Sequence, residues 1–489
     1  MKPVLELQPS REHRKELGQF LTPHSTAAFM ASMFELSADT ITLLDPGAGT
    51  GILTENLVAN LCARKKPPRR ISVTGFEMDA AVICALRNTY DRCAWLCSDA
   101  GIHFESEVHN EDFIAFGADM TRDSLFATPQ RMFNAVITNP PYRKIQSDSR
   151  ARMLLRSAGI ETSNLYTGFL ALAAKLLADD GEMVAITPRS FCNGTYFKPF
   201  RQMFLEAMSL RRLHVFQSRS KTFREAQVLQ ENIILHAVKS TKKPASVILS
   251  TDNLNGATQR QCSYAEVVSP RDPESFIHFV TSDAQESSRQ RMKGLQSPLE
   301  KLEIEVSTGR VVDFRARDLL AQDESNNTFP LIYPCHFNGG FIDWPKPHGR
   351  KPNAIRTDAL QRDLLVPSGI YVLVKRFSTK EEKKRVVACI YDGRKHSAPW
   401  VGFENHLNYF HQRGNGLTLK MAKGLTAFLN STVVDQYFRQ FNGHTQVNAT
   451  DLRNIKYPSR ASLEALGSKI GSKFPGQEEL DALVEKELF

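Results

Sequence analysis

The 489-residue chain has only eight cysteines, at positions 62, 84, 93, 97, 192, 262, 335 and 389, and no two of them form a C-x-x-C pair. Neither a disulfide framework nor a zinc site is expected, no other metal is called for, and the thiols are read as reduced and mostly buried. No run approaches the roughly eighteen apolar residues that a membrane span requires, and Met1 to Ser10 lacks an apolar signal core. A cytoplasmic protein with no membrane partner is expected. Internal repeats and long low-complexity tracts are also missing. Usage is that of a globular protein, 42% hydrophobic and 24% charged, which excludes wholesale disorder and a collagen-like chain. Two or three domains fit this length at about 150 residues each. Basic residues number 62 against 53 acidic ones, an excess that favours a polyanionic partner. The excess is +3 up to Ser240 and +6 beyond it, so the carboxyl-terminal half is the better candidate for holding phosphates.

From Ile41 to about Val238, short β-branched runs alternate with stretches of helical periodicity, the βαβ rhythm of a parallel sheet. Strands are predicted at 41–44, 71–74, 135–137, 183–186, 213–216 and 232–235. Helices are predicted at 54–64, 80–90, 168–177 and 200–209, each with apolar residues three and four apart. The fold class is a doubly wound, Rossmann-like α/β domain. After Lys239 the rhythm breaks into polar, serine-rich and charged sequence, and beyond it short strands and scattered prolines suggest a mixed α+β domain. The expected boundaries are 1–245 for the first domain, 246–295 for a linker or crossing segment, and 296–489 for the second domain.

The stretch Asp45-Pro46-Gly47-Ala48-Gly49-Thr50-Gly51 places an acid at the end of the first strand and glycines before a helix, which marks a cofactor site at the carboxyl edge of a sheet. Such turns also serve plain tight packing. Glu77, at the tip of the second strand, is placed to accept from ribose hydroxyls or to stand as a solvated carboxylate. Asp112-Phe113 at the third strand suits an adenine amino group and ring, and Asp112 suits a helix cap equally. The fourth strand ends in Asn139-Pro140-Pro141-Tyr142. The prolines fix the backbone and remove donors, so the asparagine amide oxygen and the Pro140 carbonyl form a preformed acceptor pair for an exocyclic amino group, and Tyr142 can stack on its heterocycle.

In this order the motifs resemble the S-adenosylmethionine-dependent amino-methyltransferases, specifically the gamma-order adenine-N6 DNA methyltransferases of type II restriction–modification systems. Leu17 to Pro23 is similar to the segment that precedes them in that family. The resemblance covers about residues 14–240 and extends more weakly through 428–431 and 443–452, which look like the close of a target-recognition domain. It implies that Thr22 and Pro23, with the backbone at Gly47 and Gly49, hold the methionine moiety, and Asp45 is also among the expected cofactor-binding residues. Glu77 would bind the ribose, Asp112 the cofactor adenine, with Phe113 and Pro141 close to its ring. Asn139 and the Pro140 carbonyl would grip the target amino group and Tyr142 would stack on the base. A second aromatic closes the other face in this family, and Phe223 is the expected residue, with Phe216 in reserve.

Two acceptors pulling the amino protons out of plane would free the nitrogen lone pair for in-line attack on the sulfonium methyl, with the base flipped out of the duplex. Site specificity is expected from 296–489. Ser307 to Arg310, Pro334 to Gly340, and Lys375-Arg376 through Lys383-Lys384-Arg385 are candidate phosphate or base contacts, and Gln446 and Asn448 candidate base readers. Double-stranded DNA is the expected partner, a separate restriction endonuclease the functional one, and a monomer the expected state. The rivals are a methyltransferase for RNA adenine or protein glutamine, and an inactive DNA-binding specificity protein.

Overall fold

A computed structural model describes residues 22–121, 132–216, 231–253, 256–378, 382–443 and 445–489. The chain divides into two compact units between Thr281 and Ser282.

The first unit is built on a nine-stranded sheet of β1 (Thr40–Pro46), β2 (Arg70–Phe76), β3 (His103–His109), β4 (Phe133–Thr138), β5 (Leu177–Pro188), β6 (Met208–Phe216), β7 (Asn232–Lys239), β8 (Ser246–Asn253) and β9 (Gly256–Ser263). Their spatial order is β3-β2-β1-β4-β5-β7-β6-β8-β9. All six predicted strands form. The sheet is not wholly parallel, however, because β7 slots between β5 and β6 and runs antiparallel to both. Strand β8 runs parallel to β6, and β9 closes the edge antiparallel to it.

Side chains alternate across the strands and split the core in two. Val136, Met183, Ala185, Ile233 and Leu235 face helices Phe113–Met120, Leu165–Leu176 and Lys198–Ala207. Ala135, Ile137, Val184, Ile186 and Ile234 face helices His24–Ser32, Ile52–Cys62 and Ala80–Asp99. Burial on both sheet faces is why these strands read as continuous apolar runs rather than as alternating ones. Edge strand β3 shows the opposite texture, with His103, Glu105 and Glu107 exposed and Glu105 bonded to Arg70, which discourages pairing with another chain.

The expected linker at 246–295 is corrected by the structure. Its first part forms β8 and β9, and its last part forms helix Asp283–Lys293 of the second unit. Strand β9, Gly256–Ser263, is a polar sheet edge, and the helix buries only Ser288, Arg289 and Met292, so neither shows the apolar pattern of a core element.

The second unit is mixed α+β. Its six-stranded sheet runs Glu305–Thr308, Leu407–His411, Ile370–Lys375, Ala388–Asp392, Phe341–Ile342, Phe337–Asn338. A five-stranded sheet runs Leu320–Ala321, Ala354–Arg356, Thr328–Ile332, Trp400–Phe403, Leu365–Pro367. From Leu419 onward the described residues form five helices. Helices Leu419–Leu429 and Arg460–Lys469 approach closely through Gly424 and Gly467, whose missing side chains leave room for the backbone carbonyls of Leu463 and Lys420. Among the described residues no helix is long and apolar enough to cross a membrane.

Candidate active site

The registers of the parallel strands align their ends. Pro46 lies opposite Phe76, and Phe76 opposite His109. Leu44 lies opposite Val136, and Thr138 opposite Ala185. The turns after β1, β2, β3 and β4 therefore share one carboxyl edge, where open α/β sheets hold their ligands.

The turn after β1 needs its glycines. Gly47 and Gly49 sit at φ of 75° and 57°, a left-handed conformation that side chains resist. Gly47 N and Ala48 N both donate to the Phe76 carbonyl at 2.9 Å, which ties the turn to β2. Among the described residues, apart from its chain neighbours, no atom lies within 4 Å of the point where a Gly49 Cβ would project. Gly49 N donates to Glu77 Oε2 and Asp79 N to Glu77 Oε1, both at 2.8 Å. Glu77 is thus a buried carboxylate that organises two turns rather than a solvated strand end. Burial pushes its carboxyl up, and the two N–H donors hold it partly down.

Beneath this turn Asp45 is fully buried, and Thr54 Oγ1 donates to its Oδ2 at 2.6 Å. Its Oδ1 accepts no hydrogen bond among the described residues. Burial pushes the carboxyl up to about 7, with the Thr54 hydroxyl working against the rise and the Glu77 charge adding to it.

Asp112 caps helix Phe113–Met120, its Oδ1 accepting from Ile114 N at 2.9 Å, so the helix-cap role is realised on one carboxylate oxygen. The Phe113 ring is buried against Phe76 and Phe169, at centroid distances of 5.5 and 5.1 Å.

After β4, Asn139 Nδ2 donates to Thr22 Oγ1 at 3.0 Å. Pro140 is buried behind it, and Pro141 is half-buried. Tyr142 donates its hydroxyl to the Ile186 carbonyl at 3.2 Å and packs in a T-shaped pair with Tyr166, ring centroids 6.2 Å apart. Pro23 opens helix His24–Ser32, its carbonyl accepting from Ala27 N. Thr22, Asn139 and Tyr142, spread over 120 sequence positions, are thereby brought to one edge with the Gly47 turn. Phe216 ends β6, one residue beyond Val215, which lies opposite Ile233 of β7, itself opposite Thr187 of β5, and its ring packs on His214 at 4.9 Å. Phe223 lies outside the described residues.

A family model for the Eco57I restriction-modification methylase matches residues 95–223. The type II methyltransferase M.PstI of Providencia stuartii is 41% identical over 479 residues, spanning 97% of this chain and 93% of that protein. The type II methyltransferase M.BsuBI of Bacillus subtilis is 42% identical over 489 residues, spanning 99% and 96%. The chain belongs to the type II methyltransferases. The methyltransferase shares its fold with the Type IIL restriction-modification enzyme MmeI, solved in complex with DNA, at 11% identity and a TM-score of 0.56 over 98% of this chain and 72% of that one.

S-adenosylmethionine is the methyl donor of such enzymes, and the methyltransferase's residues fit it. A sulfonium nucleoside brings positive charge and hydroxyl donors. The buried acceptor on Asp45 and the Glu77 carboxylate are complementary to both.

Sequence reasoning missed Thr54, which holds Asp45, and Asn110, whose Nδ2 donates to the Glu77 carbonyl at 2.8 Å. Thr54 lies in the first turn of the helix that follows the glycines, a local signal that was available. Asn110 had none. In the second unit several expected DNA contacts are already engaged within the protein. Arg385 is buried, donating to the Ser378 carbonyl and to Asn442 Oδ1. Lys384 donates to the Asn430 carbonyl, Arg310 pairs with Asp363, and Asn448 caps helix Ala449–Asn454. His336 is buried between Tyr333 N and Asn353.

Proposed function

We propose that this site-specific DNA methyltransferase of a restriction–modification system methylates the N6 amino nitrogen of adenine in duplex DNA. The observation that carries the reading is the Asn-Pro-Pro-Tyr turn at the carboxyl edge of β4, with its asparagine amide tied to Thr22 and its tyrosine hydroxyl tied to β5.

When bound, S-adenosylmethionine supplies an electrophilic methyl group on a sulfonium. Glu77 takes the ribose hydroxyls. Thr22, Pro23 and the backbone at Gly47 and Gly49 bracket the methionine end near Asp45. Asp112 accepts from the cofactor adenine amino group with its uncapped oxygen, and Phe113 and Pro141 border that ring. Asn139 Oδ1 and the Pro140 carbonyl each accept one N–H of the target amino group. Two acceptors out of the ring plane favour a pyramidal nitrogen whose lone pair is available for attack, and fixed geometry supplies much of the remaining acceleration. The target atom is inaccessible inside a duplex, so the base is flipped and stacked on Tyr142, with Phe223, or Phe216 in its place, on the other face. The first unit, up to Thr281, would then be catalytic and the second, from Ser282, would read the DNA site. The enzyme would act as a monomer in the prokaryotic cytoplasm, at the nucleoid, and protect host DNA from a separate restriction endonuclease.

The test is transfer from radiolabelled S-adenosylmethionine to unmethylated duplex DNA, beside single-stranded RNA and protein, with the modified nucleoside identified by mass spectrometry. The expected product is N6-methyladenine in the duplex alone, lost in Asn139→Ala. Another methylated nucleoside, or label in RNA or glutamine, would overturn the assignment.

A further inference from the structure

The chain that leaves the Asn-Pro-Pro-Tyr turn is braced at once against the start of helix Leu165–Leu176. Leu165 N donates to the Arg143 carbonyl and Ile145 N to the Ser163 carbonyl, both at 2.8 Å, so Lys144 pairs antiparallel with Asn164. Side chains alternate along such an extended segment. Ile145 packs against the core that holds Tyr142 and Tyr166, and Lys144 is exposed. On the other side of Arg143, the Tyr142 hydroxyl is fixed to the Ile186 carbonyl. Lys144 is thus a long cationic side chain on a fixed mount, two residues from Tyr142.

Surface cations usually stand beside carboxylates, and the arginines that follow show this. Arg152 and Arg156 both pair with Glu161. Lys144 and Arg150 do not: among the described residues neither side chain makes an ion pair or a hydrogen bond. Arg150 is also exposed, and it opens helix Arg150–Ser157, whose first turn contains no acid. A cation there works against the helix dipole. Only a short turn separates the two residues, closed by Ser149 N donating to the Gln146 carbonyl at 3.2 Å. Two cations without an internal counter-charge, one of them set against its own helix, suit an anion brought by a partner. DNA brings one to this place, because a base turned out of the duplex stays tethered to the phosphates on either side of it. Phosphate oxygens are natural acceptors for a lysine ammonium or an arginine fork.

We propose that Lys144, together with Arg150, binds the phosphates that flank the flipped nucleotide. The proposal rests on the function proposed above, in which the target base stacks on Tyr142. Each phosphate neutralised on duplex DNA contributes about 0.9 to the slope of log affinity against log salt. With affinity at 1 M salt unchanged, loss of one such contact weakens binding about eightfold at 0.1 M salt.

The experiment compares wild type with Lys144→Gln, Arg150→Gln and Lys66→Gln. Lys66 is an exposed lysine just ahead of β2, at the opposite edge of the sheet, and serves as the control for diffuse charge. Kd is measured by fluorescence anisotropy across a salt series, on a duplex that carries the site mapped from the wild-type product. The slope should fall by about 0.9 and Kd at 0.1 M salt should rise about eightfold in each of Lys144→Gln and Arg150→Gln, with both unchanged in Lys66→Gln. Calorimetric Kd for S-adenosylhomocysteine should stay within about twofold of wild type in all three. A second duplex carries an uncharged methylphosphonate at one or the other phosphate beside the target base. At one of these positions it should weaken wild type and leave Lys144→Gln unaffected. An unchanged slope in Lys144→Gln or Arg150→Gln, an equal fall in Lys66→Gln, or a methylphosphonate effect as large in Lys144→Gln as in wild type would overturn the proposal. The nucleoside identified in the wild-type digest separates the two ideas. A product other than N6-methyladenine sinks the adenine assignment, while the slopes and the methylphosphonate comparison, made at whichever base is methylated, still decide the role of Lys144.

Discussion

Asp45→Asn should stabilise the folded enzyme, and the gain should grow with pH. Asp45 is fully buried, and its carboxyl is pushed from an ordinary 3.8 up to about 7, first by burial. A carboxyl whose folded value lies above its unfolded one takes up a proton on folding between those two pH values. The stability it permits is therefore complete below about pH 4 and declines as pH rises toward 7. At about 1.4 kcal/mol per pH unit, the penalty reaches about 4 kcal/mol at pH 8, of which about 2 to 3 kcal/mol accumulates between pH 5 and 8. Asparagine imitates the neutral acid. Its carbonyl keeps the acceptor for Thr54 Oγ1, and its amide stands where the acid would carry its proton, on the oxygen that accepts no hydrogen bond among the described residues. Denaturant unfolding of both proteins without cofactor, at pH steps from 5 to 8, would measure the gap. It should widen by about 2 to 3 kcal/mol across that range, equivalent to about 5 to 10 °C in Tm for a unit of this size. A gap that does not change with pH, or a wild type more stable than the variant at pH 8, would refute the reasoning. Under the proposed arrangement the same variant should bind S-adenosylmethionine more weakly, because it lacks the anion placed near the methionine end. A buried acid kept at the expense of stability is what a binding role would require.

Arg385→Ala should lower stability by about 3 kcal/mol, since it strands the buried Ser378 carbonyl and the Asn442 amide oxygen, and urea unfolding would show it. The slope of log Kd for DNA against log salt should not change, whereas loss of a phosphate contact would reduce it by about 0.9. Gly424→Ala should destabilise the second unit by about 3 kcal/mol or more, because its Cβ would land on the Leu463 carbonyl between two packed helices. Gly476→Ala, with no atom of the described residues within 4 Å of its Cβ position apart from its chain neighbours, should unfold at the wild-type denaturant midpoint.

What could be read from the sequence follows from the range of the forces involved. Strands β1, β2, β4 and β5 were legible because strands buried on both faces leave continuous apolar runs, and a ligand-binding turn must carry its glycines within a few residues of the strand end. Asp45, Gly47, Glu77 and Asn139 are found by reading along the chain for that reason. Strand β9 and helix Asp283–Lys293 were not legible. The first meets the sheet on one side only, and the second buries Ser288, Arg289 and Met292 rather than an apolar stripe, so both have a linker's texture. The direction of β7 was equally hidden, because an apolar run carries no sign of whether its neighbours run with it or against it. The same limit governs charge. Lys383-Lys384-Arg385 reads as a solvated basic run, yet Arg385 is buried because the Ser378 carbonyl and Asn442 Oδ1, brought from elsewhere in the chain, satisfy its guanidinium. Asn442 is 57 positions away from Arg385. Thr22 and Asn139 are the extreme case. Each was found by its own motif, but the hydrogen bond between them is a product of the sheet's registry and of a helix docked on its face, so the pairing exists only once the fold does.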